Sequence, residues 1–382
     1  CVMVVVGCCF FSVLRRPPRS PQRGSSAASA LYKRQFHGWV APAHHDAAYR
    51  FTRVLGTVPL PAFLLLAGAA VELRLEAAAR RSEAADEVRG GLIRRGLQVL
   101  LYGYLVSAAY AFIDGWQGVE TFLRSDVLHV IGLSIALSAA LLPRSGPVNG
   151  HARRVQLRRV LGVAVLATIL CPWISRVSPD APDALAPFVA LLADRPPYGS
   201  MPLVPLFAWF AMGMASLRLL RSEALRGAGT QARLAIAGAP MIVLATGLGL
   251  ALIGAVGFEV GTHAWVAQGG DALTRRHPAV WLNVLDLGCR GVAVLCLGAM
   301  LSVAVGPRVR GALVTLGRGS LVAYVVHIPF CYGRLGGSLV GGCTMAEASG
   351  LVVALIAFSW GCVYARDALR TRWRRRLSAR VR

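Results

Sequence analysis

Residues 280–305 read VWLNVLDLGCRGVAVLCLGAMLSVAV, and this stretch decides what kind of molecule the chain is. Its 26 residues hold two charged side chains, Asp286 and Arg290. At about 1.5 Å of rise per residue a helix of that length outreaches the roughly 30 Å hydrocarbon core of a bilayer. A length of 382 residues would by itself suggest two soluble domains. Composition overrules that, because 55% of residues are hydrophobic, 15% are charged and the mean hydropathy is +0.56. Comparable apolar runs recur at about 54–71, 96–113, 127–142, 160–174, 201–220, 234–257, 312–330 and 349–365. The expected fold is therefore all-α, a polytopic membrane bundle with nine helices seen and ten in a complete chain. Pro59, Pro61, Pro202 and Pro205 stand near segment starts, where a missing N–H costs least.

The formal net charge of +23 could suggest a nucleic-acid binder. The cations, however, lie between apolar runs and not among aromatic platforms, so membrane topology is the better reading and no nucleic-acid partner is expected. Lys33 is the sole lysine; so Arg-rich a chain reads as codon usage in a GC-rich genome. The nine cysteines follow no metal-ligand spacing. Cys171, Cys289, Cys296 and Cys362 fall in apolar runs, where a thiol is a small hydrophobe, while Cys331 and Cys343 share a loop in which they could pair or stay reduced.

Arginine marks every second connection. ELRLEAAARRSEAADEVRGGLIRR (72–95), PRSGPVNGHARRVQLRR (143–159), RLLRSEALRGAGTQAR (218–233), GPRVR (306–310) and the tail RDALRTRWRRRLSARVR (366–382) form one set. The alternate connections hold one or two arginines each. The positive-inside rule puts the Arg-rich set and the C-terminus in the cytoplasm, and residues 36–53 outside. Two outer loops, 175–200 and 258–279, are longer and carry Asp180, Asp183, Asp194, Glu259, His263, Asp271 and His277; they read as linkers or as walls of a substrate entrance.

The N-terminus breaks the pattern. CVMVVVGCCFFSVL (1–14) is short, opens on Cys1, and precedes the basic, Pro/Ser-rich RRPPRSPQRGSSAASALYKR (15–34). Residues 1–35 are expected to be a disordered or misread segment standing where a first helix belongs. Residues 36–365 form the membrane domain and 366–382 a basic tail.

Five stretches carry a resemblance: PLPAFLLLAGAAVEL (59–73), LIRRGLQVLLYGYLV (92–106), SDVLHVIGLSIAL (125–137), PLVPLFAWFAMGMASLRLL (202–220) and LGRGSLVAYVVHIPF (316–330). In this order they resemble segments of the transmembrane acyltransferase superfamily, which includes heparan-α-glucosaminide N-acetyltransferase and the acyltransferase type 3 proteins. The resemblance covers roughly residues 36–365. It implies a ten-helix bundle passing an acyl group from cytoplasmic acyl-CoA, acetyl-CoA above all, to a sugar hydroxyl or amine on the far side, with no metal. Members carry an Arg and a His on the first helix. This chain reads LYKRQFHGWVAP (31–42) there, so His37 stands near, but not in register with, the family's His.

The topology places His327 near the outer end of one helix, with Tyr324 three positions earlier on the same face. His129, beside Asp126, begins an inward-running helix and falls at a similar depth; His37, His44, His45 and Asp46 precede the first span on that side. Neutral His can accept a proton from an attacking hydroxyl or amine, and cationic His can stabilise an oxyanion. The structural alternative is that each imidazole bonds a backbone carbonyl between helices. Asp286 and Arg290 lie one turn apart within an apolar span; they read as a mutually neutralising pair or, with Tyr324, as substrate contacts in the bundle interior. Arg94 and Arg95, where a helix enters from the Arg-rich side, suit the phosphates of the acyl-CoA donor, and Arg74, Arg80 and Arg81 suit them less. Topogenic charge explains the same arginines.

The expected function is a membrane-bound acyl-CoA-dependent acyltransferase acting on a glycan or amino-sugar-like acceptor, in the inner membrane of a bacterium. A transporter using the same intramembrane charges is the competing class, although no inverted repeat is visible between the chain's halves. A non-catalytic remnant lacking the first-helix His is the third.

Overall fold

The computed structural model describes residues 57–114, 122–123, 125–178, 185–193, 201–222, 229–256, 279–306 and 342–380, with positions 40, 49, 182, 311, 319, 322, 325 and 326. Among them stand nine helices: α1 (Pro59–Arg80), α2 (Ala85–Asp114), α3 (Val127–Ala140), α4 (Gly150–Val177), α5 (Ala186–Leu192), α6 (Leu203–Leu220), α7 (Thr230–Val256), α8 (Val280–Ala304) and α9 (Met345–Arg380). The protein is all-α. Five helices are long and apolar enough to cross a membrane, namely α4, α6, α7, α8 and α9. α1 and α2 occupy two further expected spans but carry their Arg- and Glu-rich loop sequence within the same helix. α3 has 14 residues, about 21 Å of rise, short of a full hydrocarbon crossing.

The structure adds detail to the sequence reading in three places. Helix α4 begins at Gly150, ten residues before the expected span, because Asn149 caps it by accepting from the Ala152 N–H at 2.8 Å. The stretch 175–200, read as a linker or a wall of a substrate entrance, contains the short helix α5, which opens on Ala186-Pro187. The basic tail is the continuation of α9, which has no proline or glycine after Gly361 to stop it. The expected span 312–330 and the N-terminal segment 1–35 lie outside the described residues, apart from a few positions in the former.

Close approaches between small residues set the bundle. A Cβ on Gly68 of α1 would overlap the Phe210 carbonyl of α6, and one on Gly213 would overlap the Leu65 carbonyl in return. Gly96 of α2 and Gly132 of α3 face each other in the same way. Such contacts replace the hydrophobic drive that lipid cannot supply. Trp209, Phe207, Phe210 and Met214 of α6 fill the centre with Leu64 of α1 and Leu287 of α8. The Trp209 indole donates to the Val284 carbonyl at 2.7 Å, so its one polar atom is satisfied in the core.

Among the described residues, three of the Arg-rich stretches, 72–95, 143–159 and 218–222, meet at one end. Ala85 N–H donates to the Gly146 carbonyl and Val148 N–H to the Glu83 carbonyl, at 3.0 and 2.8 Å, clasping the α1–α2 turn to the α3–α4 turn. Buried Glu72 of α1 takes Arg153 of α4 at 2.6 Å, with Arg218 of α6 at 3.9 Å. Glu76 pairs with Arg80 and with Arg221, just after α6. Away from these, Val40 and Tyr49 pack with Cys343, Ala348 and Leu355 around the start of α9.

Candidate active site

Helix α3 opens on Asp126, whose backbone is extended and whose carboxylate accepts from the Leu128 and His129 N–H groups at 2.9 and 3.4 Å. Three residues on, the His129 side chain turns back to the cap. Its Nδ1 lies 3.1 Å from the Asp126 N–H, which donates to it, and 3.0 Å from Asp126 Oδ1. This is a capping box with imidazole in the place usually held by Glu or Gln. The two contacts require opposite tautomers. Accepting from the backbone N–H leaves the proton on Nε2, whereas donating to the carboxylate leaves Nε2 as a lone-pair base.

The rest of the ring is held by α2. Tyr104 meets it edge-on at a centroid distance of 4.4 Å, with Phe122 in turn 5.7 Å from Tyr104. Gly103 lies flat against the imidazole, leaving room for the ring because it has no Cβ. His129 is 0% exposed, and its Nε2 has no hydrogen-bond partner among the described residues. An unpaired buried nitrogen costs free energy, and active sites are where such costs are tolerated. Ser125, one residue before the cap, donates to the Ala190 carbonyl of α5 at 3.3 Å, so the short helix closes over this end of α3.

The second polar constellation stands on α8. Arg290 Nε donates to Asp286 Oδ1 at 2.7 Å, and the aspartate is 0% exposed. The pairing expected from the sequence is present. Asp286 Oδ2 has no partner among the described residues. Gly288 and Gly291 bring α8 against Met212 of α6 and Leu65 of α1, so the pair stands on a helix packed into the bundle.

Arg94 and Arg95 are exposed on α2, within its first three turns, on the side of the Arg-rich connections. They can therefore receive an anionic group from solution. Arg74, Arg80 and Arg81 are engaged with Glu83, Glu76 and Glu83 respectively. His37, His44, His45, Asp46, Tyr324 and His327 lie outside the described residues, as does Cys331 of the possible Cys331–Cys343 pair. The sequence reading did not single out Gly103 and Tyr104 as partners of His129. The available signal was the row of glycines at 96, 103 and 132 on two consecutive helices.

The family model for heparan-α-glucosaminide N-acetyltransferase, catalytic, matches residues 34–247, more than half of the chain. The protein belongs to this family. No curated protein and no solved structure matches the chain. The matched region takes in α1 to α6 and most of α7, and with them His37, Arg94, Arg95 and His129. Asp286, Arg290, Tyr324 and His327 lie beyond it, so their roles rest on their own chemistry.

Proposed function

We propose that the protein is an integral-membrane acyltransferase that passes an acyl group, acetyl by the family's description, from acyl-CoA to a glycan or amino-sugar-like acceptor. The observation that carries this reading is His129. It is a fully buried imidazole inside the family-matched region, anchored through Nδ1 by Asp126 and with Nε2 unclaimed among the described residues. With the Nδ1 proton directed to the carboxylate, Nε2 takes the proton from the acceptor's amine or hydroxyl as that atom attacks the thioester carbonyl. The new C–N or C–O bond forms, the C–S bond breaks, and the CoA thiolate leaves with the electron pair. His37 and His327 are further candidates to share that proton, and Asp286, Arg290 and Tyr324 to orient the acceptor. Arg94 and Arg95 are the cations offered to the donor's phosphates. The Arg-rich end faces the cytoplasm of a bacterial inner membrane, and the acceptor approaches from the opposite side, where α5 covers α3.

Membranes containing the protein, given radiolabelled acetyl-CoA and glucosamine, should yield labelled N-acetylglucosamine with release of one thiol per transfer. His129→Ala should lower the rate at least about 100-fold, the scale of a lost general base. Wild-type rates in that variant would remove His129 from the chemistry. If the wild type transfers no label to any amino sugar or envelope glycan but moves a solute across vesicles, the protein is a transporter.

A further inference from the structure

Helix α9 is 36 residues long, about 54 Å, and crosses from an apolar stretch into a basic one without a break. Its last fifteen residues, 366–380, carry Arg366, Arg370, Arg372, Arg374, Arg375, Arg376 and Arg380 against one acid, Asp367. Asp367 is already taken by Arg366 at 2.7 Å. Leu369 and Trp373 are about two-thirds exposed, as is Tyr364 at the end of the apolar stretch. This region is therefore a continuous basic helix with one aromatic residue, Trp373, and an unbalanced charge of about +6 beyond its own ion pair, running on from an apolar stretch. We propose that residues 366–380 of α9 form a binding surface for the anionic phospholipid headgroups of the leaflet from which the helix emerges.

Geometry and charge both favour lipid. Arg375 lies ten residues past Ala365, about 15 Å along the axis. The headgroup layer is about 5–8 Å deep on each side, and an exposed charge is felt over a Debye length of about 8 Å. Five of the seven arginines thus stand within reach of the headgroup field on an untilted helix, and tilt brings Arg376 closer. Near an anionic surface each such cation is attracted independently, so the effect accumulates along the helix. Trp373 has the amphipathic ring that settles at the membrane–water interface. The continuous helix matters because it holds the arginines at the surface from which a flexible tail would wander. This surface is independent of the acyl-transfer reading and uses none of its residues.

The test uses the full chain with a C-terminal epitope tag in nanodiscs, where both faces are open to protease. Chymotrypsin cuts at Leu369 and Trp373, so its sites do not depend on arginine. In discs of phosphatidylcholine containing phosphatidylglycerol, loss of the tag should be about tenfold slower than in phosphatidylcholine alone. High salt should abolish the difference, as should the variant R372Q/R374Q/R375Q/R376Q, whose folding is checked by monodisperse incorporation. Equal rates in the two lipids would overturn the proposal. So would protection that survives high salt or the quadruple variant. Equal protection by a short DNA duplex added to phosphatidylcholine discs would instead make the helix a general polyanion dock and sink the lipid assignment.

Discussion

Gly103 of α2 lies against the imidazole of His129 of α3 so closely that a methyl group in its place would come within 2.9 Å of Cε1 and 3.1 Å of Nε2. The ring cannot yield easily, because Asp126 holds its Nδ1 and Tyr104 its edge. Gly103→Ala should therefore displace the ring at a packing cost of about 1–3 kcal/mol. Acyl transfer should fall about tenfold or more, since small misplacements of a catalytic group are costly. Gly90→Ala is the matched control, because nothing lies within 4 Å of its added Cβ. That variant should keep its rate, with a melting temperature at or slightly above the wild type's, because alanine is the better helix former.

Glu72 is the hub of the Arg-rich end, with two arginines on one carboxylate. Glu72→Gln would leave Arg153 and Arg218 side by side without compensation, and should cost about 3–5 kcal/mol. Arg218→Gln leaves the closer Glu72–Arg153 pair intact and should cost less than about 1 kcal/mol. Melting temperatures of the two variants in detergent check the asymmetry. Equal losses would mean that Glu72 is not the shared partner.

The surface carboxylates at the same end predict an acid-sensitive tie. Burial acts to raise Glu76, but hydrogen bonds from Arg221 and Arg80 outweigh it and hold the group below its ordinary value of 4.5. Glu83 is held low chiefly by the hydrogen bond from Arg74. Depressed folded-state values mean that the unfolded chain binds protons first as pH falls. The stabilisation is thus fully present above about pH 4.5 and fades as pH drops through the lower folded values. Both groups are solvent-screened, so the effect should be modest. The double variant Glu76→Gln/Glu83→Gln should show a flatter melting-temperature profile below that pH than the wild type. Superimposable profiles would remove these pairs from the acid response.

Asp286 and Arg290 neutralise each other inside α8. Removing either alone should lower the yield of monodisperse protein and cost about 3–5 kcal/mol, because the other charge is left buried. The double variant Asp286→Leu/Arg290→Leu should recover most of that stability. Transfer activity then separates the two roles of the pair. A stable double variant with normal activity would make it structural, whereas a stable but inactive one would place it at the substrate.

The sequence by itself determined the class of molecule and most of its elements. Run length and composition are properties of the chain in one dimension, and a bilayer responds to little else. Hence eight of the nine expected spans coincide with helices, and the paired charges at 286 and 290 could be read from their spacing of one turn. Capping is equally local, so Asp126 beside His129 was visible as a pair. Tertiary structure alone decided what surrounds them. Glu72 and Arg153 are 81 residues apart, and no periodicity links an acid on one helix to a base three helices later. Gly103 and Tyr104 become partners of His129 only because Gly96 and Gly132 allow α2 and α3 to approach to backbone contact. The length of α9 shows the same division. Its arginines were legible as charge, but their place on one continuous helix came from a backbone that nothing in the tail interrupts.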